Sequence, residues 1–345
     1  MKPGIVKKFD LMPIQKKAVK LVEKLKKDQT QSGPHTGIFV MPWLAKFTQD
    51  VMSLCFFSLD LQALDEPLVS YERLLSEIIP SMFNRWYMYF PILDKVGRFL
   101  EPRKSAFKNI ENFDRLLDGV MSHASRNPEK QSDVVSFRLK QALDSGQINL
   151  DQYQANLRMM FMVGHDNTEF LLTSAMWELG KRTDVQDRIR NEASGIPHTG
   201  SGVEIMSSLP YLTSVIYELL RLYAPVASMI NHSVSQPGYL GGKIFVQPGP
   251  YIGWNSYAIH TNPHFWGPDA HKFKPERWGS TISEIQTNVR RHTAKGNYIP
   301  FSMHSRKCLG QGLALSETKI ALFELAKRIK WTVDPTYQLK MSGVS

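Results

Sequence analysis

Phe301-Ser-Met-His-Ser-Arg-Lys-Cys-Leu-Gly310 is the stretch whose reading decides the fold. It carries Cys308, one of two cysteines in the chain. His304, Arg306 and Lys307 precede it, so the local field is expected to favour the thiolate. A helical pattern follows, Gly310 to Arg328, with apolar positions at Leu313, Leu315, Ile320, Leu322, Phe323, Leu325 and Ala326. Cys308 is thus predicted where a loop meets a helix N-terminus, whose partial positive charge and free N–H groups lower a thiol pKa. Such a thiolate can ligate a metal or act as a nucleophile; the plain alternative is a structural cysteine. Cys55, in the apolar run Met52-Ser-Leu-Cys-Phe-Phe57, reads as a small core residue.

Upstream, Leu150 to Arg182 reads as one long helix capped by Asn149. Its middle, Met162-Val-Gly-His-Asp-Asn-Thr-Glu169, is unusual inside an apolar helix. Glycine costs about 1 kcal/mol there relative to alanine, and Asp, Asn and Thr compete for backbone groups. The stretch is either a kink with solvated polar residues or a helix that opens locally beside a cofactor. Leu209 to Tyr223 is a further helix, with Glu218 and Arg221 an i, i+3 pair. Apolar neighbours on both sides predict burial, which demands further partners. Arg277, in Phe273-Lys-Pro-Glu-Arg-Trp278, is the candidate to complete a Glu218–Arg221–Arg277 network.

The remaining pattern is mostly helical. Helices are expected over 13–27, 41–59, 67–86, 105–125, 133–145 and 183–193, with an aromatic turn at 86–91. Short strands are expected at 227–234, 243–246 and 250–252, with a turn at Pro248-Gly-Pro250, and 262–295 reads as a long packed loop. The 345 residues suffice for a large core. Two cysteines far apart exclude a disulfide framework and a cysteine-rich zinc site, and fit a reducing compartment. The net charge of +10 suits an acidic protein partner or an anionic membrane face. No aromatic–basic interleaving points to nucleic acid. No signal-peptide pattern opens the chain and no apolar window is long enough for a membrane span, so membrane association is expected to be peripheral only.

Four groups of residues in order resemble the cytochrome P450 superfamily: Gly164/Asp166, Glu218/Arg221, Pro275/Glu276/Arg277 and Phe301/Arg306/Cys308/Gly310. The resemblance implies a mainly α fold with small β-sheets, lacking its N-terminal portion. It implies a single domain over 1–345, helical to 226, mixed strand and loop over 227–300, with the heme-ligand loop and following helix at 301–330. It implies heme b with iron ligated by the Cys308 thiolate, a ligand that favours O–O cleavage. Arg306 and His232 would reach heme propionates, Phe301 would pack beside the sulfur, and Gly310 would let the backbone pass close to the ring. Gly164, Asp166, Asn167 and Thr168 would line the oxygen pocket. The family usually has Gly at the His304 position and Thr at the Asn167 position. An amide at Asn167 is a poor proton relay, which leaves Asp166 as the candidate for proton delivery. Glu218, Arg221 and Arg277 would lock the core behind the cysteine loop.

Gly-His-acid-Asn around Asp166, Phe-Lys-Pro-Glu-Arg-Trp-Gly around Arg277, and Ala106-Phe-Lys-Asn resemble the fungal sporulation enzymes that form dityrosine. This implies an oxidoreductase that oxidises or couples a tyrosine-derived phenolic substrate in spore wall formation, fed by an NADPH–cytochrome reductase or another electron donor. It also implies the cytoplasmic side of the endoplasmic reticulum. The alternatives are a heme-thiolate isomerase or dehydratase needing no reductase, and a truncated relic without catalysis.

Overall fold

The computed structural model describes residues 10–33, 36–65, 103–124, 134–197 and 202–336, with isolated positions between 86 and 101. The expected helix over 67–86 and most of the aromatic turn lie outside the described residues. The chain forms two compact units: one comprises residues up to Pro13 with Pro42–Asp166, the other Ile14–Met41 with Asn167 onward.

The first unit is helical, with helices Met41–Phe57, Arg103–Ala124, Val135–Asp144 and Leu150–Val163. Their apolar faces converge on Met52, Phe57, Phe113, Leu117, Tyr153, Leu157 and Phe161. Phe161 sits at the centre, edge-on to Phe113 at 5.4 Å and tilted against Phe57 at 6.3 Å. Asn149 caps Leu150–Val163 reciprocally with Gln152, as its side-chain chemistry predicts. Cys55 is half-buried rather than a core residue.

The second unit is built around helix Gln311–Arg328, buried along almost its whole length from Leu313 to Ala326. Helices Thr183–Ser194, Gly202–Ser207 and Pro210–Leu222 pack on it. Side chains tie helix ends together. The Glu192 carboxylate accepts the Tyr211 and Leu212 N–H groups at the start of Pro210–Leu222, satisfying donors that a helix leaves free. Lys319 Nζ donates to the Met206 and Ser208 carbonyls. From helix Leu11–Ser32, Gln15 donates to Glu324 at 3.1 Å.

Two small antiparallel sheets follow. Strands β1 (Ser228–Ser233) and β4 (Tyr251–Asn255) pair with an irregularity between Ile230 and His232. Strands β2 (Gly238–Leu240) and β3 (Ile244–Val246) form a hairpin closed by Gly241 and Gly242, both at positive φ. Strand β2 was not among the expected strands; its Gly238-Tyr-Leu240 opens on a glycine and offers no apolar run.

Two expectations are corrected. The single helix over 150–182 is two, Leu150–Val163 and Asp166–Gly180, separated at Gly164-His165. The expected loop over 262–295 contains helix Pro263–Trp266, a 3-10 turn Pro275–Trp278 and helix Ile282–Ala294. The last begins at a Thr281/Glu284 capping box, with Ile285 as its one fully buried residue, so it lacks the broad apolar face that marks a helix in sequence.

Candidate functional site

Cys308 closes a tight loop. Its N–H donates to the Phe301 carbonyl at 2.8 Å, joining the two ends of the eight-residue span. Between them Ser302 (φ 59°) and His304 (φ 53°) take the left-handed region, and His304–Arg306 is a single 3-10 turn. His304 thus fills with a side chain a backbone position that glycine adopts without strain. Phe301 is half-buried; Arg306 and Cys308 are exposed.

The expected thiolate field is corrected in part. Although the Cys308 residue reaches solvent, protein around Sγ desolvates it, and that raises the thiol above its ordinary pKa. The Gly310 and Gln311 N–H groups at the start of the long helix bond the sulfur and pull the other way, with a smaller contribution from the Lys307 charge. His304 and Arg306 are not among the causes.

The loop has the features a thiolate-ligated heme requires. The sulfur faces two N–H donors, a set that favours a charged sulfur once iron replaces its proton. A Cβ built on Gly310 would meet only Cys308 Sγ, at 3.8 Å, so the space beside the sulfur is open. The Arg306 guanidinium has no hydrogen-bond or ion-pair partner among the described residues and can take a carboxylate. Gln311 Oε1 is buried without a hydrogen-bond partner. The residues present therefore fit the group. His232 lies on β1 opposite Ile252, half-buried, its ring 5.6 Å from Trp254.

Behind this loop in the sequence order stands a buried charge network. Glu218 and Arg221 are both fully buried, as their apolar neighbours predict. Arg221 donates Nε and Nη2 to the two Glu218 oxygens at 2.9 and 2.8 Å. Its Nη1 donates to the His260 and Ala270 carbonyls and Nη2 also to Lys272. Arg277 Nε and the Lys274 N–H both reach Glu218 Oε1 at 2.9 Å, and Trp278 Nε1 reaches Oε2 at 3.1 Å. The buried charges are paired and the Glu218 lone pairs filled, the condition under which such a pair is tolerated. The structure thus brings Glu218, Arg221 and Arg277 together. Sequence reasoning missed two members of this region. Trp278 closes the Phe273–Trp278 motif, but its indole N–H was not read as a partner of Glu218, although such a donor needs an acceptor when buried. His260 carries no local signal at all.

The Gly164–Thr168 stretch is the junction between the two helices. Gly164 has a packing reason: an added Cβ would meet the Met160 carbonyl at 2.5 Å, Met52 Cγ at 2.7 Å and Phe56 Cε2 at 3.1 Å. His165 is buried, its Nδ1 2.8 Å from the Phe161 carbonyl and its Nε2 2.8 Å from Asp166 Oδ1. Asp166 is half-exposed and Asn167 exposed, whereas Thr168 turns inward and is buried. The observed break is the interruption that the polar run predicts, and it is common to both alternatives, a kink and a local opening.

A family model described as Cytochrome P450 matches residues 7–343. The Cytochrome P450 monooxygenase xanG of Aspergillus fumigatus is 41% identical over 353 residues, covering 100% of this chain and 66% of that protein. Cytochrome P450-DIT2 of Saccharomyces cerevisiae is 30% identical over 337 residues, 97% of this chain and 67% of that protein. Cytochrome P450 CYP72A616 of Paris polyphylla is 26% identical over 316 residues, 86% of this chain and 57% of its own length. The chain spans about two thirds of the first two relatives and less of the third. A family match over nearly the whole chain, with these relatives and the cysteine loop already described, establishes that this chain belongs to the cytochrome P450 family.

Proposed function

We propose that the chain forms the heme-thiolate part of a monooxygenase-type oxidoreductase, in which the Cys308 thiolate would ligate heme b iron. The observation that carries this reading is the Cys308 sulfur, held at a helix start by the Gly310 and Gln311 N–H groups beside open space. Bound there, the heme would supply reductive activation of oxygen, and a thiolate ligand favours O–O cleavage. The protein's part is to fix the sulfur. The Phe301 carbonyl holds the Cys308 backbone and the two N–H groups moderate the sulfur's charge. Arg306 and His232 are the residues that would hold the propionates. His165 orients Asp166, the candidate proton donor, while Asn167 offers an amide where a hydroxyl would relay protons better.

The substrate class is a tyrosine-derived phenol, oxidised or coupled in spore wall formation. This rests on the Gly-His-acid-Asn and Pro-Glu-Arg-Trp-Gly texts shared with the dityrosine-forming enzymes. Phenol coupling needs an oxidant but no oxygen insertion, so an altered proton relay is compatible with it. Electrons would come from an NADPH–cytochrome reductase docking on the basic surface of a chain with net charge +10. No helix among the described residues is long and apolar enough to cross a membrane. The cytoplasmic face of the endoplasmic reticulum remains the proposed location.

The test is the absorption spectrum of the purified chain with heme, reduced under carbon monoxide. A long-wavelength Soret band, lost in Cys308→Ala, is the expected result. No heme uptake, or the same band without Cys308, overturns the assignment. Incubation with N-acylated tyrosine and a reductase is then expected to yield coupled or hydroxylated product, and an unchanged substrate would reject the phenol reading.

A further inference from the structure

We propose that His260 is a positioning residue that ties the cysteine loop to the buried Glu218–Arg221 pair. His260 ends the short helix Ser256–His260 and is fully buried. The Ile299 N–H donates to its Nε2 at 2.8 Å. Its Nδ1 lies 3.2 Å from the Arg221 carbonyl, an acceptor only, so Nδ1 carries the proton and Nε2 is free to accept. The same two residues are joined in reverse by Arg221 Nη1 donating to the His260 carbonyl at 2.7 Å. One imidazole therefore links the backbone of the charge network to the backbone two residues before Phe301.

The segment entering the loop is fastened at three consecutive residues. Asn297 Oδ1 is 3.1 Å from His292 Nδ1. Tyr298 is buried among Trp278, Tyr217 and His260, its hydroxyl donating to the Tyr217 carbonyl. Ile299 is held by His260. Phe301 then accepts the Cys308 N–H. Among the described residues, the His260 fastening is the one that reaches the Arg221 backbone, while Tyr298 reaches the same helix about one turn earlier at the Tyr217 carbonyl; His260 thus ties the loop to the arginine itself. Burial pushes its pKa down to about 4, against the Arg221 carbonyl bond and aided by the Arg221 charge, so the accepting tautomer is the form present at neutral pH. The functional meaning of this tie rests on Cys308 being the heme ligand; the tie itself does not.

Two amides separate the two nitrogens. Asparagine places its amide near Nδ1 and cannot reach Ile299; glutamine places an oxygen near Nε2 and can. The 345-residue chain, heme-free and in a Cys55→Ala background, is compared with its His260→Asn and His260→Gln forms. The readouts are hydrogen exchange at the Ile299 amide and the rate of Cys308 alkylation. His260→Asn is expected to raise both by about ten-fold, the scale of one lost buried hydrogen bond, with glutamine close to wild type. Ile14→Ala, which loosens the same unit elsewhere, serves as the control. Equal acceleration in asparagine, glutamine and control forms overturns the proposal, as does no change in either His260 variant. Should His260→Asn fail to fold, the wild type and His260→Gln decide: an unprotected Ile299 amide in wild type, or loss of its protection in the glutamine form, overturns it. Failure of the wild type to take up heme would instead reject the ligand assignment and leave these results standing.

Discussion

Trp278 Nε1 donates to Glu218 Oε2 at 3.1 Å, so the indole fills the side of the carboxylate that Arg277 leaves open. Glu218 is thereby coordinated by two arginines, one indole and one backbone N–H, with no exposure to solvent. Trp278→Phe keeps the ring and removes only the donor. It is expected to cost about 1.5–3 kcal/mol, the range for a hydrogen bond to a charged group. Arg221→Met removes one of the two cations paired with the buried carboxylate, and its donors to the His260 and Ala270 carbonyls, and is expected to cost about 3–5 kcal/mol. Urea denaturation of both variants checks this ordering; an Arg221→Met loss no larger than that of Trp278→Phe would contradict it.

Gly164 is tight against Met160 and Met52. Gly164→Ala should therefore destabilise the first unit by about 1–3 kcal/mol through overpacking, despite alanine's higher helix propensity. Thermal unfolding followed by circular dichroism measures it. A stabilised variant would mean that the helix break is set by propensity alone.

Glu317 is fully buried in helix Gln311–Arg328, and neither carboxylate oxygen has a hydrogen-bond partner. Burial holds its pKa well above the ordinary carboxylate range. The folded state thus keeps a proton that the unfolded state loses above about pH 4.5. Its contribution is fully present below that value and fades as pH rises toward the folded pKa. Glu317→Gln removes this titration. The variant should gain stability relative to wild type from pH 5 to 7.5 and show no such trend below pH 4. Denaturation midpoints across that range test it, and a difference independent of pH would refute the buried neutral acid.

The Cys308 thiol is raised by desolvation despite its two N–H donors and Lys307. In a heme-free Cys55→Ala chain, alkylation by iodoacetamide should be slow at pH 7 and rise with a midpoint above the ordinary thiol value of 9.0. A midpoint below pH 8 would mean that the helix N-terminus outweighs desolvation.

The cysteine loop, the Glu218–Arg221 pair and the predominance of helix are legible in the sequence because each is local, whereas Arg277, 59 residues from Glu218, is legible through its own motif. The loop is a ten-residue motif, the ion pair an i, i+3 spacing on an apolar helix, and each long helix repeats its apolar face. Helix Ile282–Ala294 was not legible because it buries a single residue and offers no such face. The break at Gly164-His165 was legible only as an anomaly; the close approach of Met52 and Phe56 to the glycine was not legible at all. Sequence alone fixes which groups can pair, since donors, acceptors and charges belong to residue types. Only the tertiary structure decides which of them lose water. It makes Glu317 a buried acid, turns the Cys308 field against the thiolate, and brings His260 within 2.8 Å of an amide 39 residues away. Those outcomes depend on desolvation and long-range contact, neither of which is written in any local pattern.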